Sequence, residues 1–246
     1  MVVLSQRGSD DPKMYDLSFM YTKRCNLSCS FCMYNSGPAV NDAMDLVALR
    51  AWLDTVDMNR VASFGIYGGE PSLNLNEYAR IMDMVAHLDK PHFVITNGSW
   101  SKDYECMMRF LEFCAQYHIF IVISGTPEHR QHQDRTILEW LAKQEPDAFR
   151  LKPEEENFHP MGRLAGKIPF VCTDKCTWWD RALRIAVQPD GSIIFQNCDG
   201  VYPVVGNIWE PFGRMDECIQ KMRVDGFSLV YCHYESLLLK QVASAK

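Results

Sequence analysis

Apolar and polar positions alternate along the chain in two periods, and the periods take turns. Over residues 15–21 the apolar side chains Leu17, Phe19 and Tyr21 fall at every second position, the spacing of a strand. Residues 42–58 then place Leu46, Leu49, Leu53 and Val56 on one face of a helix, for which Asn41 or Asp42 offers an N-cap. The pair repeats. A strand at 61–66 precedes a helix at 76–88 with Tyr78, Ile81, Val85 and Leu88 on one side. A strand at 92–96 precedes a helix capped by Ser101, whose predicted apolar face is Tyr104, Met107, Met108, Leu111 and Ala115. The unbroken apolar run at 119–123 reads as a buried parallel strand, followed by a helix at 134–143. Residues 148–151 and 184–188 supply a fifth and a sixth strand.

Strands that alternate with helices imply parallel βα units. About six of them predict an α/β fold of the partial (β/α)6 barrel kind rather than a closed eight-fold barrel. Pro153, Pro160, Gly162, Gly166 and Pro169 make 153–170 a poor helix. Beyond that stretch, residues 189–191 (Pro-Asp-Gly) form a turn before a returning strand, 206–211 reads as loop, and 213–223 can form one helix. The expected organisation is a polar tail at 1–12, a barrel at 13–170 whose last strand lies near 184–188, and a small cysteine-rich extension at 171–246.

Composition narrows the classes. The chain has 246 residues, 47% hydrophobic and 23% charged, which excludes global disorder. A net charge of −6 argues against tight nonspecific binding to nucleic acid, although it leaves room for a local basic groove. No apolar run reaches the roughly 20 residues of a membrane span, and the opening residues turn polar too early for a secretory signal. The expected setting is cytoplasmic and reducing, with no membrane partner. There, ten cysteines point to metal binding or chemistry rather than disulfides.

Cys25, Cys29 and Cys32 follow the first strand with a C-x3-C-x2-C spacing. Three thiolates on a short loop can hold three corners of a cubic iron–sulfur cluster and leave the fourth iron open. Zinc would seek a fourth Cys or His nearby, and the loop has no histidine; by spacing alone, zinc or coincidence stays open. Gly68-Gly69-Glu70-Pro71 follows the second strand, Thr96-Asn97-Gly98 the third, and Ser124-Gly125 the fourth. Ligands of parallel βα folds bind at these carboxyl ends of strands.

With these motifs in this order, and aromatic Phe31 before the third cysteine, residues 15–190 resemble the radical S-adenosylmethionine (radical SAM) enzymes. The resemblance implies that Cys25, Cys29 and Cys32 ligate a [4Fe–4S] cluster whose open iron takes S-adenosylmethionine. It implies that the Gly68–Gly69 backbone meets the methionine ammonium, with Glu70 as a charged partner. Thr96, Asn97 and Ser124 would contact the ribose or methionine part, and Phe31 would pack near the adenine. One electron would then cleave the sulfonium to a 5′-deoxyadenosyl radical that abstracts hydrogen from substrate. The family also implies an electron donor such as flavodoxin or ferredoxin.

Residues 160–210 resemble the SPASM or twitch extension of such enzymes, through Pro-Met-Gly-Arg at 160–163, the stretch 185–198 and Gly-Asn-Ile at 206–208. Carried across, Cys176 and Cys198, with Cys172 and Cys232, would ligate a second, auxiliary [4Fe–4S] cluster. Cys198 falls late after Gly191, and a lone Cys232 stands where twitch proteins carry C-x2-C, so structural zinc or no metal remains open there. Cys218, Cys106 and Cys114 read as packing thiols inside helices. His129, His132 and the run Glu154–Glu156 read as surface; Arg130 or Arg135 can offer a cation to the cofactor carboxylate. Trp178 and Trp179 either shape a pocket or cover the extension.

The implied function is hydrogen abstraction from an amino-acid-type group, in a peptide or on another carrier, leading to dehydrogenation, epimerisation, crosslinking or rearrangement. A nucleobase-linked substrate is the alternative. A non-catalytic metal-binding partner protein on the same scaffold is the second.

Overall fold

The computed structural model describes residues 14–154, 162–167, 182–196 and 202–224. The strands are β1 (Met14–Phe19), β2 (Val61–Ile66), β3 (His92–Thr96), β4 (Ile119–Ile123), β5 (Phe149–Leu151), β6 (Ala182–Val187), β7 (Ser192–Phe195) and β8 (Val204–Asn207). Between and after them lie α1 (Leu46–Leu53), α2 (Leu75–Val85), α3 (Tyr104–Gln116), α4 (Pro127–Arg130), α5 (Arg135–Gln144) and α6 (Phe212–Val224). All eight strands join one open sheet in the order β5-β4-β3-β2-β1-β6-β7-β8. The six from β5 to β6 run parallel, and β7 and β8 return antiparallel.

The order explains the layering. From β1 to β5 each strand sits beside its predecessor, always on the same side. Right-handed crossovers then put α1, α2, α3 and α5 on one face. That face is the main core. Leu17 and Phe19 of β1, Ile66 of β2, Ile121 and Ile123 of β4 and Ile185 of β6 pack there with Leu49, Trp52, Ile81, Phe110 and Leu138 from the helices. The opposite face is the inner wall of the partial barrel. Met20, Tyr67, Ala186 and Ile194 form a separate small cluster on it, joined by Tyr34, Ile95 and Tyr202. Among the described residues no helix is long and apolar enough to cross a membrane.

Several local expectations shift. Asp45, not Asn41 or Asp42, caps α1, accepting from Val47 N and Ala48 N at 2.9 and 3.0 Å. Asp42 instead accepts from Thr22 Oγ1 and Lys23 N, both at 2.8 Å, and so fixes the exit of β1. Asp103 caps α3 through Cys106 N at 2.8 Å, while Ser101 donates to Gly98 O and accepts from Asp134 N. Residues 206 and 207, expected as loop, belong to β8, because the turn at 189–191 returns the chain into the sheet. Gly191 makes that turn at φ +76°. The sheet thus runs on through β6–β8, and the boundary expected near residue 170 falls at 168–181, outside the described residues.

The largest shift is the buried face of α3. Tyr104 is 71% exposed and Met108 36%, whereas Phe110, Phe113 and Cys114 are buried. Phe110 stacks on Trp100 at 4.8 Å and Phe113 leans on Tyr117 at 5.3 Å. Met107 and Leu111 of the expected face do pack half-buried against the core, but the face is centred on the larger aromatic area of Phe110 and Phe113. Cys106 accordingly points outward, contrary to its expected burial, and Cys114 inward. Replacing Phe110 with Ala is expected to cost about 3–5 kcal/mol of stability. Tyr104→Ala should stay within about 0.5 kcal/mol. Equilibrium denaturation of the two variants checks this, and the reverse ranking would restore the stripe read from the sequence.

Candidate active site

The chain leaves β1 into the cysteine loop, which closes by backbone pairing. Cys25 N donates to Gly37 O at 3.1 Å, and Gly37 N to Lys23 O at 3.2 Å. Cys32 N donates to Cys29 O at 3.2 Å, a single turn that sets the spacing of these two thiols. Cys25 and Cys29 are buried and Cys32 half-buried, with Leu27 and Phe31 packed among them.

The thiols suit a cluster. Cys25 Sγ accepts from Leu27 N at 3.4 Å and from Asn97 Nδ2 at 3.7 Å; Cys32 Sγ accepts from Ser36 N at 3.3 Å. Such donors favour thiolate, the form that binds metal. Burial, with repulsion from Glu70 and then Cys32, pushes Cys25 up to about 11; burial, with repulsion from Cys25 and Glu128, pushes Cys29 up to about 12. Without a bound cation these sulfurs keep their protons, and metal binding would release them. Among the described residues no group of His, Cys, Asp and Glu converges on a single metal ion. Beside the loop opens a cleft of about 270 Å³ lined by Leu27, Ser28, Cys29, Glu128, Gln131 and His132.

Gly68 and Gly69 press against the start of this loop. A Cβ on Gly69 would lie 1.7 Å from Arg24 O, and one on Gly68, at φ +144°, would lie 2.4 Å from Met20 Cγ. Their backbone is tied as well: Gly69 N donates to Thr22 O at 2.9 Å and Glu70 N to Arg24 O at 3.0 Å. Glu70 is 1% exposed. Its carboxylate accepts from Thr96 Oγ1 at 2.6 Å, Asn97 N at 2.8 Å and Ser72 N at 3.2 Å. Burial outweighs these donors and holds the carboxyl above its ordinary range. Beside the pairing with a ligand ammonium that the resemblance implies, these bonds give Glu70 a structural role. It ties the end of β2 to the end of β3.

Thr96 is equally engaged, donating to Glu70 and accepting from Trp100 Nε1 at 3.0 Å and Gly98 N at 3.1 Å. Asn97 reaches the cysteine loop, with Nδ2 also 2.9 Å from Asn26 Oδ1. Ser124 N donates to Thr96 O at 2.9 Å, closing β4 onto β3. Gln133 completes this edge, a residue the sequence did not single out. Its Nε2 donates to Asn97 O at 2.6 Å and Ser124 O at 2.7 Å. The motif residues of β1–β4 thus share one edge, as strand-end placement demands.

Helix α4 packs over the loop. Glu128 accepts from Ser30 N at 2.9 Å and also from Ser30 Oγ. His129 stands edge-on to Phe31 at 5.2 Å, its Nδ1 2.9 Å from Thr126 Oγ1. Of the two histidines read as surface, only His132 is exposed. Arg130 engages Gly125 O at 3.0 Å and Glu154 at 3.2 Å; Arg135 engages Glu139 and Gln133. Both cations are held by this chain's own acceptors. On the inner wall Gln196 Nε2 donates to the phenol oxygens of Tyr34 and Tyr67, and Tyr34 lies 6.3 Å from Tyr202. Their positions in the sequence, two residues after Cys32 and one before Gly68, are the only signal that marks Tyr34 and Tyr67. Cys172, Cys176, Cys198 and Cys232, with Trp178 and Trp179, lie outside the described residues.

Residues 19–131 match the model of the radical SAM superfamily, a span that holds all three loop cysteines and the motifs after β2, β3 and β4. The chain carries a radical SAM superfamily domain. The antilisterial bacteriocin subtilosin biosynthesis protein AlbA of Bacillus subtilis (strain 168) is 34% identical over 102 residues, 39% of this chain and 21% of that protein. The match thus spans about a fifth of that relative's length. Among solved structures, anSMEcpe with bound AdoMet and Cp18Cys peptide gives a TM-score of 0.47 at 14% identity, over 82% of this chain and 80% of that one. Streptococcus suis SuiB bound to precursor peptide SuiA gives 0.41 at 14% identity, over 81% and 63%.

Burial, with Lys152 adding repulsion, drives His129 down to about 4, so the ring beside Phe31 is neutral at neutral pH. In the unfolded chain it titrates near 6.5. Between those values the unfolded state binds more protons, so this residue's contribution to stability is full above pH 6.5 and falls as pH drops to 4. Relative to wild type, His129→Gln is expected to flatten the stability profile across that window by about 2 kcal/mol. Denaturant titrations at pH 4.0 and 7.0 check the difference; parallel profiles would refute it.

Proposed function

We propose that this chain is a radical SAM enzyme that acts on an amino-acid residue within a peptide. The observation that carries the reading is the convergence at one sheet edge of three clustered thiols with the Gly68–Glu70, Thr96–Asn97 and Ser124 strand ends. Cys25, Cys29 and Cys32 would hold a [4Fe–4S] cluster. Bound together, that cluster and S-adenosylmethionine supply a carbon radical able to abstract hydrogen from an unactivated C–H bond.

The chain's own residues position and shield. The Gly68 and Gly69 backbone, Asn97 and Ser124 would border the cofactor, and Phe31, backed by neutral His129, would form an apolar wall for its adenine. Glu70 and Thr96 act one step back, by fixing Asn97. The inner wall of Tyr34, Tyr67 and Tyr202 offers the substrate a largely dry chamber, which suppresses side reactions of a radical with water. The peptide substrate rests on the likeness to AlbA, whose name places it in the biosynthesis of a bacteriocin. An auxiliary cluster on Cys172, Cys176, Cys198 and Cys232, an electron donor of the flavodoxin or ferredoxin class and a cytoplasmic location belong to the same proposal.

Anaerobic reconstitution tests it. The wild type is expected to bind iron and, with S-adenosylmethionine and a reductant, to release 5′-deoxyadenosine faster in the presence of a peptide substrate. Each cubic cluster carries about four irons, so a Cys25/Cys29/Cys32→Ala variant should keep roughly half the iron and release no 5′-deoxyadenosine. Loss of all iron in a folded variant would remove the auxiliary cluster from the proposal. Intact clusters with no turnover would favour a non-catalytic binding protein.

A further inference from the structure

The cysteine loop has few apolar contacts and little regular structure to fix it, yet a ligand set needs fixed geometry. Part of that constraint arrives from far along the chain. Arg163 Nη1 donates to Cys29 O at 2.6 Å, and Nη2 donates to Ser36 O. The backbone N of the same residue donates to Cys32 O at 3.0 Å. Two of these three carbonyls belong to cysteines of the ligand set, and Cys29 O is the acceptor of the turn that spaces Cys29 from Cys32. We propose that Gly162 and Arg163 form a latch on the cysteine loop, with Arg163 a positioning residue for Cys29 and Cys32. The proposal rests on the reading of these cysteines as ligands.

The residue types match the task. Loop carbonyls without a strand or helix partner still need donors. A guanidinium presents five N–H groups in a rigid plane and can span two carbonyls at once; an ammonium is a single point donor. Gly162 lets the backbone come close enough for the third bond. It sits at φ +55°, and a Cβ there would lie 2.2 Å from Cys32 O and 2.5 Å from Met33 C. The segment 162–167 therefore touches the site through its first two residues, while Lys167 is exposed.

Thiol reactivity separates the latch from general stability and needs no bound cofactor. Cluster-free protein is alkylated with iodoacetamide, and rates at each cysteine are followed by peptide mass mapping. Exposed Cys106 is the reference and buried Cys114 the reporter of global unfolding. Arg163→Gln and Gly162→Ala are expected to speed Cys29 and Cys32 about fivefold relative to Cys106, the factor for losing roughly one net hydrogen bond. Arg163→Lys should fall between, and Lys167→Ala should match wild type. In reconstituted protein, iron loss to a chelator should accelerate in the same order. Wild-type alkylation rates at both cysteines in Arg163→Gln and Gly162→Ala would overturn the latch. Should Arg163→Gln also expose Cys114, Arg163→Lys decides: faster Cys29 and Cys32 with Cys114 still protected supports the latch, and unchanged rates overturn it. A wild type that takes up no iron would sink the proposed function, and the alkylation rates would still judge the latch.

Discussion

A buried carboxylate at the rim of a sheet is costly unless protein donors replace water, and Glu70 is placed where those donors come from two different strand ends. Ser72 N belongs to its own turn, but Thr96 Oγ1 and Asn97 N belong to the exit of β3. Hydrogen bonds to an ionised acceptor are stronger than neutral ones, so the tie is stiff. From Asn97 the constraint passes to Asn26 and the Cys25 sulfur. Gly69 adds the complementary contact, backbone against backbone at Arg24, with no side chain between. Charge and close approach together lock the second and third strand ends onto the loop that follows the first.

The layering makes this edge usable. Because successive strands add on one side, the helices cover one face and leave the other as the inner wall. A closed barrel would fill that wall with interlocking side chains. The open sheet instead keeps Phe93, Ile95 and Val122 half-buried, and it brings Arg184 close to the Tyr34–Tyr67–Tyr202 group. Burial lowers the Arg184 guanidinium while Asp16 and the phenols oppose that shift. Polar atoms are thus held inside by one another.

How much of this was legible follows from the range of each interaction. Period-2 and period-3.6 patterns are local, so β1 to β6 and α1, α2, α5 and α6 appear near their predicted places. The face of α3 was legible only in part: Met107 and Leu111 pack on the core, but its centre at Phe110 depends on Trp100, which approaches only once the chain turns at Gly98. Cap identities moved by three residues at Asp45 and two at Asp103, since Asx side chains were available at neighbouring positions and tertiary contacts took Asp42 elsewhere. Motif positions at the site were legible, but their bonding was not. Glu70 and Thr96 read as ligand contacts, and the sequence did not show that they also bond each other.

The same distinction explains why cysteine spacing alone underdetermines the centre. A C-x3-C-x2-C segment fixes how far apart three thiols can lie along the chain, not which way they point. Here the pointing is set by partners far away in sequence. Glu128 holds Ser30 across 98 residues, Asn97 meets Cys25 across 72, and Arg163 meets Cys29 across 134. Glu128 and Asn97 come from the exits of β4 and β3, and Arg163 lies beyond β5 in the chain. Such contacts form only after the sheet has assembled, because closing long loops costs entropy that local contacts cannot offset. The loop therefore owes its shape to the fold around it. In this chain the cysteine loop is made specific less by its own five intervening residues than by the three side chains that reach it.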